Sequence, residues 1–141
     1  MNRLNVQFLD HGFHRVLFDA VPAPVFVMDT DLRILDCNQA ATRLIGKSRR
    51  FVKQRHSGEV LRCIHAAETK GGCGCAPACR DCVVRQCIRA ASRGRRVVRQ
   101  QAKMELLSKG GPAVVNLRVS CQPFTYGRSA FILLILEGLN D

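Results

Sequence analysis

The chain has 141 residues, 47% hydrophobic and 23% charged, enough for one domain with its own core and too few for two. Lys and Arg number 22 against 11 Asp and Glu, a formal net charge of +11, and no apolar run approaches the roughly 20 residues of a membrane span. The opening MNRLNVQFLDHGFHR lacks the apolar segment and small-residue cleavage site of a secretory leader, so a cytoplasmic protein without a membrane partner is expected, its eight cysteines reduced.

Residues 4 to 21 place Leu9, Phe13, Val16, Leu17 and Ala20 at helical spacing, and Pro22 ends this amphipathic leading helix. Next come two short strands, Val25 to Met28 and Arg33 to Asp36, joined at Asp29-Thr30-Asp31. Asn38 suits the N-cap of a helix through Ile45, which Gly46 closes. Arg49 to Arg55 is polar, while GEVLRCIHAAE reads as a helix burying Val60, Leu61, Ile64 and Ala67. Pro77 opens a further helix running to Gly94, with Val83, Val84, Cys87, Ile88 and Ala91 as its apolar stripe.

From residue 97 the period becomes alternating. Val98, Ala102, Met104 and Leu106 share one strand face, Gly110-Gly111 turns a hairpin, and Val115, Leu117, Val119 and Cys121 share a face of the next strand. After a turn at Tyr126-Gly127, the run AFILLIL (130 to 136) reads as a buried central strand. Two strands, several helices and three antiparallel strands make an α+β fold, one sheet with helices on one face.

The positive charge is concentrated. Residues 47 to 109 carry sixteen Lys/Arg against four Asp/Glu, while residues 1 to 46 carry four against five and residues 110 to 141 two against two. Such an excess fits a solvated basic face, an acidic partner, nucleic acid, or compensation of an anionic thiolate centre.

The segment PVFVMDTDLRILDCNQAATRLIG resembles the opening of a PAS sensory domain: the two-strand hairpin, the Asn that starts the next helix, and the Leu and Gly that close it. The resemblance extends over residues 20 to 138 and implies a five-stranded antiparallel sheet whose concave face, with the helices, encloses a pocket. Residues 1 to 19 then form a leading helix ahead of the domain. A second block, GEVLRCIHAAETKGGCGCAPACRDC, is similar to bacterial PAS domains with a cysteine-bearing insert, here spanning 58 to 94. That pattern, a Cys after a Gly-Glu helix start, a Gly-Gly-Cys-Gly turn and a closing Cys-x-x-Cys, implies Cys63, Cys73, Cys79 and Cys82 as ligands. Such domains usually sit in signalling proteins.

Thiol chemistry agrees with a site of this kind. Cys79 and Cys82 lie three apart in the expected first turn of a helix, whose N-terminus favours anionic thiolates. Glycines 71, 72 and 74 let the loop fold tightly enough to bring in Cys73, and Cys63 on the preceding helix would close the tetrad. Cys75 offers an alternative, a local set of Cys73, Cys75, Cys79 and Cys82. The spacing differs from a pair of Cys-x-x-Cys knuckles, which argues against purely structural zinc, and the sensory role that the resemblance implies favours a redox-active iron–sulfur cluster over zinc. Cys37, Cys87 and Cys121 fall at apolar positions and read as small hydrophobes, and His65 as a partly exposed helix residue.

No Walker or dinucleotide glycine motif, haem-attachment motif or Ser/His/Asp set stands out, and Cys79-Arg-Asp-Cys82 lacks the βαβ setting of a thioredoxin dithiol, so no catalysis is expected. The expectation is a redox or metal sensor that dimerises through the leading helix and signals to a partner such as a histidine kinase or a regulator. The alternative is a nucleic-acid-binding regulator with structural zinc, using Arg89, Arg93, Arg95, Arg96 and Arg99. With no helix-turn-helix pair or stacking platform alongside them, nucleic-acid contact is accessory and no specific duplex binding at moderate salt is expected.

Overall fold

A computed structural model describes residues 11–61, 63, 82–108 and 110–138. In chain order the elements are α1 (His11–Ala20), β1 (Val25–Met28), β2 (Ile34–Cys37), α2 (Gln39–Ile45), α3 (Arg49–Val52), α4 (Ser57–Val60), α5 (Val83–Ser92), β3 (Val97–Ser108), β4 (Gly111–Tyr126) and β5 (Ser129–Glu137).

Local chemistry explains the first half. Asp29 turns the β1–β2 hairpin, its Oδ1 accepting the N–H groups of Asp31 at 2.9 Å and Arg33 at 3.0 Å. Asn38 caps α2 through Oδ1, which accepts from Ala41 N–H at 3.0 Å, and Gly46 ends the helix at φ 68° in the left-handed region. Fully buried, Asn38 also accepts from Val25 N–H at 3.0 Å and donates through Nδ2 to the carbonyls of Val21 at 3.2 Å and Ala23 at 3.0 Å. One side chain therefore fastens the entry to β1 onto the start of α2.

The five strands form one antiparallel sheet with the AFILLIL strand in the middle, as expected, and their order is β2-β1-β5-β4-β3. Alternation assigns the faces. Ala102, Met104, Leu117, Val119, Ile132 and Leu134 point inward. They join one core with Ala41 of α2, Val52 of α3, Val60 of α4 and Val84, Cys87, Ile88 and Ala91 of α5. The helices α2 to α5 therefore cover the same face of the sheet. At the β2 edge, backbone bonds from Ile34 N–H to Arg55 O (2.8 Å) and Gln54 N–H to Ile34 O (2.7 Å) tie down the loop after α3.

Four expectations need correction. The helix read over GEVLRCIHAAE ends at Val60; Leu61 is buried in a turn and Cys63 sits in a β-bridge opposite Leu106, while Ile64, His65 and Ala67 lie outside the described residues. The polar stretch Arg49 to Arg55 contains α3, whose Val52 is fully buried. The helix expected from Pro77 begins at Val83, because Cys82 has extended backbone (φ −67°, ψ 114°); Pro77 lies outside the described residues. Val98 is 61% exposed, since a bulge between Val97 and Gln100, with Arg99 at φ 50°, shifts the alternation by one residue.

Candidate thiol and metal site

Of the expected ligands, the described residues contain Cys63 and Cys82; Cys73, Cys79 and the alternative Cys75 lie outside the described residues. Among the described residues no group of three or more His, Cys, Asp or Glu side chains is gathered as a metal site, and Cys37, Cys63, Cys82, Cys87 and Cys121 form no disulfide. What can be placed is the pair of anchors on either side of residues 64–81.

Cys63 is buried and backbone-paired with Leu106 of β3. Cys82 is the half-buried N-cap of α5; its carbonyl accepts from Gln86 N–H at 3.0 Å, and its thiol makes no capping hydrogen bond. The next residue, Val83, lines a cleft of about 520 Å³ that Ala102 and Leu117 also border, so the start of α5 faces the same cleft as β3 and β4. Both anchors thus come to β3, Cys63 opposite Leu106 and the α5 start beside Ala102. Four residues of strand separate these points, roughly 13 Å at 3.3 Å per residue. The intervening chain carries the other three thiols.

The remaining cysteines behave as core residues. Burial, then the neighbouring Asp36, raises the Cys37 thiol from its usual 9.0 to about 11, against the opposing pull of Arg49 and Arg15. Burial pushes Cys121 up to about 12, with Cys87 adding to the effect. Cys87 is raised by burial and by Cys82 beside it. Protonated, buried thiols make poor ligands, in keeping with their reading as small hydrophobes. Iodoacetamide applied to the folded chain at about pH 8 should leave Cys37 and Cys121 unmodified by peptide mapping, and modify both once the chain is unfolded. Folding favours their neutral forms, so the stability they contribute is whole below about pH 9 and is lost as pH rises toward about 11 for Cys37 and about 12 for Cys121. A urea midpoint that stayed flat from pH 9 to 12 would contradict this.

The leading helix approaches the domain through polar contacts. Arg15 pairs with Asp36 of β2 and with Asp19 at 3.5 Å, and it donates to the Cys37 carbonyl at 3.4 Å. Asp19 Oδ1 in turn accepts from Gln39 N–H at 3.0 Å at the start of α2. The apolar stripe is turned away from these contacts, with Phe13 39%, Val16 68% and Leu17 57% exposed; Leu9 lies outside the described residues. Sequence reasoning recognised the stripe and missed the Arg15–Asp36 and Asp19–Gln39 links, which join residues about 20 apart.

Comparison with known proteins places this architecture. Residues 12–78 match the family model described as PAS domain. The fold is similar to the PAS domain of an HTR-like protein from Haloarcula marismortui, at TM-score 0.56 and 16% identity over 89% of this chain and 94% of that one. It is similar also to a domain of a sensory box sensor histidine kinase/response regulator from Geobacter sulfurreducens (TM-score 0.57, 18% identity, 93% and 99% covered). A third similar structure is an RNA-binding Light-Oxygen-Voltage receptor (TM-score 0.61, 18% identity, 96% of this chain and 35% of that one). A search of curated protein sequences finds no match. No helix among the described residues is long and apolar enough to cross a membrane.

Proposed function

Starting from a PAS domain fold and a PAS family match over residues 12–78, we propose that the chain is a cytoplasmic signal-sensing module with a cysteine-ligated metal centre, iron–sulfur in preference to zinc. The ligands in this reading are Cys63, Cys73, Cys79 and Cys82, with Cys75 as the alternative to Cys63. The observation that supports it is that Cys63, backbone-paired with Leu106 of β3, and Cys82, the N-cap of α5, stand at the two ends of the segment that holds the other thiols. The donor set suits the group, being all soft sulfur, with the Cys82 thiol uncommitted to capping.

A bound cluster would supply a one-electron redox change, or a metal an occupancy change. This chain's residues supply the coupling. Cys82 sets the first residue of α5, and the buried side of α5 packs on β3, β4 and β5. A displaced Cys82 therefore tilts a helix seated on three strands, and Cys63 ties the same event to the β3 backbone. The module has no catalytic step of its own in this reading and signals to a partner such as a histidine kinase or a regulator. Purification without oxygen, with iron, sulfide and zinc assays and an absorption spectrum, tests it. Iron with matching sulfide is the expected result; a chain holding neither iron nor zinc would overturn the proposal.

The exposed stripe on α1 supplies a homodimer surface, because Val16 and Leu17 lie on a helix held to its own domain by polar links, the Arg15–Asp36 pair and the Asp19–Gln39 hydrogen bond. Full-length protein should elute as a dimer on a calibrated sizing column at low and high salt alike, and a chain lacking residues 1 to 19 as a monomer. A dimeric truncated chain would remove the helix from the interface.

A further inference from the structure

The helices that cover the inner face of the sheet share a solvent side, and its charge is lopsided. On and beside α2 and α3 stand Arg43, Lys47, Arg49, Arg50, Lys53 and Arg55, all exposed. On α5 and the turn after it stand Arg85, Arg89, Arg93, Arg95 and Arg96, all exposed except the half-buried Arg85. Across residues 39–61 and 82–96 the one carboxylate among the described residues is Glu59, and it lies 3.5 Å from His56 Nδ1.

We infer that this solvent side of the helical layer docks the phosphate backbone of double-stranded DNA without reading its sequence. Arginine dominates both clusters, and its planar fork matches phosphate oxygens better than a lysine ammonium does. Two further observations select the occupant. Phe51 in α3 is covered by Lys47 at 5.5 Å and Arg55 at 4.2 Å from the ring centroid, so its ring is not an open platform for the bases of a single strand. Of the exposed large hydrophobic side chains among the described residues, Leu44 alone belongs to this layer, while Phe13, Val16, Leu17, Val98 and Val114 lie elsewhere. A lipid surface would therefore find little here to insert. A duplex backbone needs neither stacking nor insertion, only a dense array of cations.

The test is anisotropy of a labelled duplex of about 20 base pairs of arbitrary sequence, titrated with the full chain from about 50 to about 200 mM salt. Binding should weaken roughly 10²-fold across that range, a log–log slope of about −4. The pair Arg49→Glu with Arg50→Glu, and separately Arg89→Glu with Arg93→Glu, should each weaken binding by about tenfold or more and flatten the slope by about 2. Lys103→Glu with Arg118→Glu makes the same charge change at exposed, outward-pointing positions of the sheet and should cost less than about twofold. Melting curves identify any variant that loses the fold, and the second helical pair keeps the test standing if the first does. No binding at about 50 mM salt overturns the inference, as does an equal loss in the sheet-face control. So does tighter binding of the corresponding single strand, or arginine-dependent capture by phosphatidylserine vesicles without duplex binding.

Discussion

Serine at Cys82 should empty the metal centre and loosen the start of α5. A thiolate site that loses one donor of four no longer holds its metal at the same affinity, and metal affinity in such domains is also folding free energy. With free metal near 1,000 times its dissociation constant, the linked loss is about 4 kcal/mol, a fall of roughly 13 °C in melting temperature at this chain length. Cys79→Ser should behave alike. Cys63→Ser should lose the metal while Cys75→Ser keeps it; the reverse would move the site wholly into the loop. Cys37→Ala leaves the metal in place, because that thiol sits in the core at the end of β2. Metal content and melting temperature together decide the matter, and wild-type values for both in Cys79→Ser and Cys82→Ser would reject the metal centre.

Asn38→Ala should cost about 4 kcal/mol, the largest loss of stability expected from a single polar side chain here. Its amide bonds two N–H groups, of Val25 and Ala41, and two carbonyls, of Val21 and Ala23, from a fully buried position. Alanine leaves all four groups without that partner, and water cannot reach the site without opening the junction of β1 and α2. Asn38→Asp keeps the two accepted bonds, loses the two donated ones and buries a carboxylate, so it is expected to be destabilised as well, and more so at pH 7 than at pH 4. Urea unfolding followed by circular dichroism measures both. A loss below about 1 kcal/mol for the alanine variant would mean that the junction relaxes around the hole.

Asn38 also shows how much of this protein could be read from its sequence. A polar residue before an apolar helical pattern, with glycine at the far end, has one good local explanation, and α2 came out as read. AFILLIL could be read for the same reason, as a run too apolar for an edge. What stayed hidden were features made by partners distant in the chain. Cys63 has a helical setting by periodicity, yet its backbone pairs with Leu106. Val52 hides among six cations between residues 43 and 55, and the reach of α3 toward β2, not a local period, decides its burial. Arg99 leaves no sign that its φ will be positive, so the alternation written for β3 was one residue out at Val98. For the candidate site, the cysteines and their spacing were legible; the bridge that pairs Cys63 with Leu106 was not.

The Cys63 bridge also bears on solubility. β3 is the last strand of the sheet and 12 residues long, and its outer row of N–H and carbonyl groups is a template on which a strand from another chain could add. Cys63 occupies that row opposite Leu106, and the bulge between Val97 and Gln100 bends the opposite end out of register. Between them, exposed Lys103 and Glu105 put alternating charge where an incoming apolar strand would have to lie. The residue proposed to hold metal is thus also a stopper against fibril-like growth of the sheet, so a chain whose Cys63 segment is pulled away should be the form that precipitates.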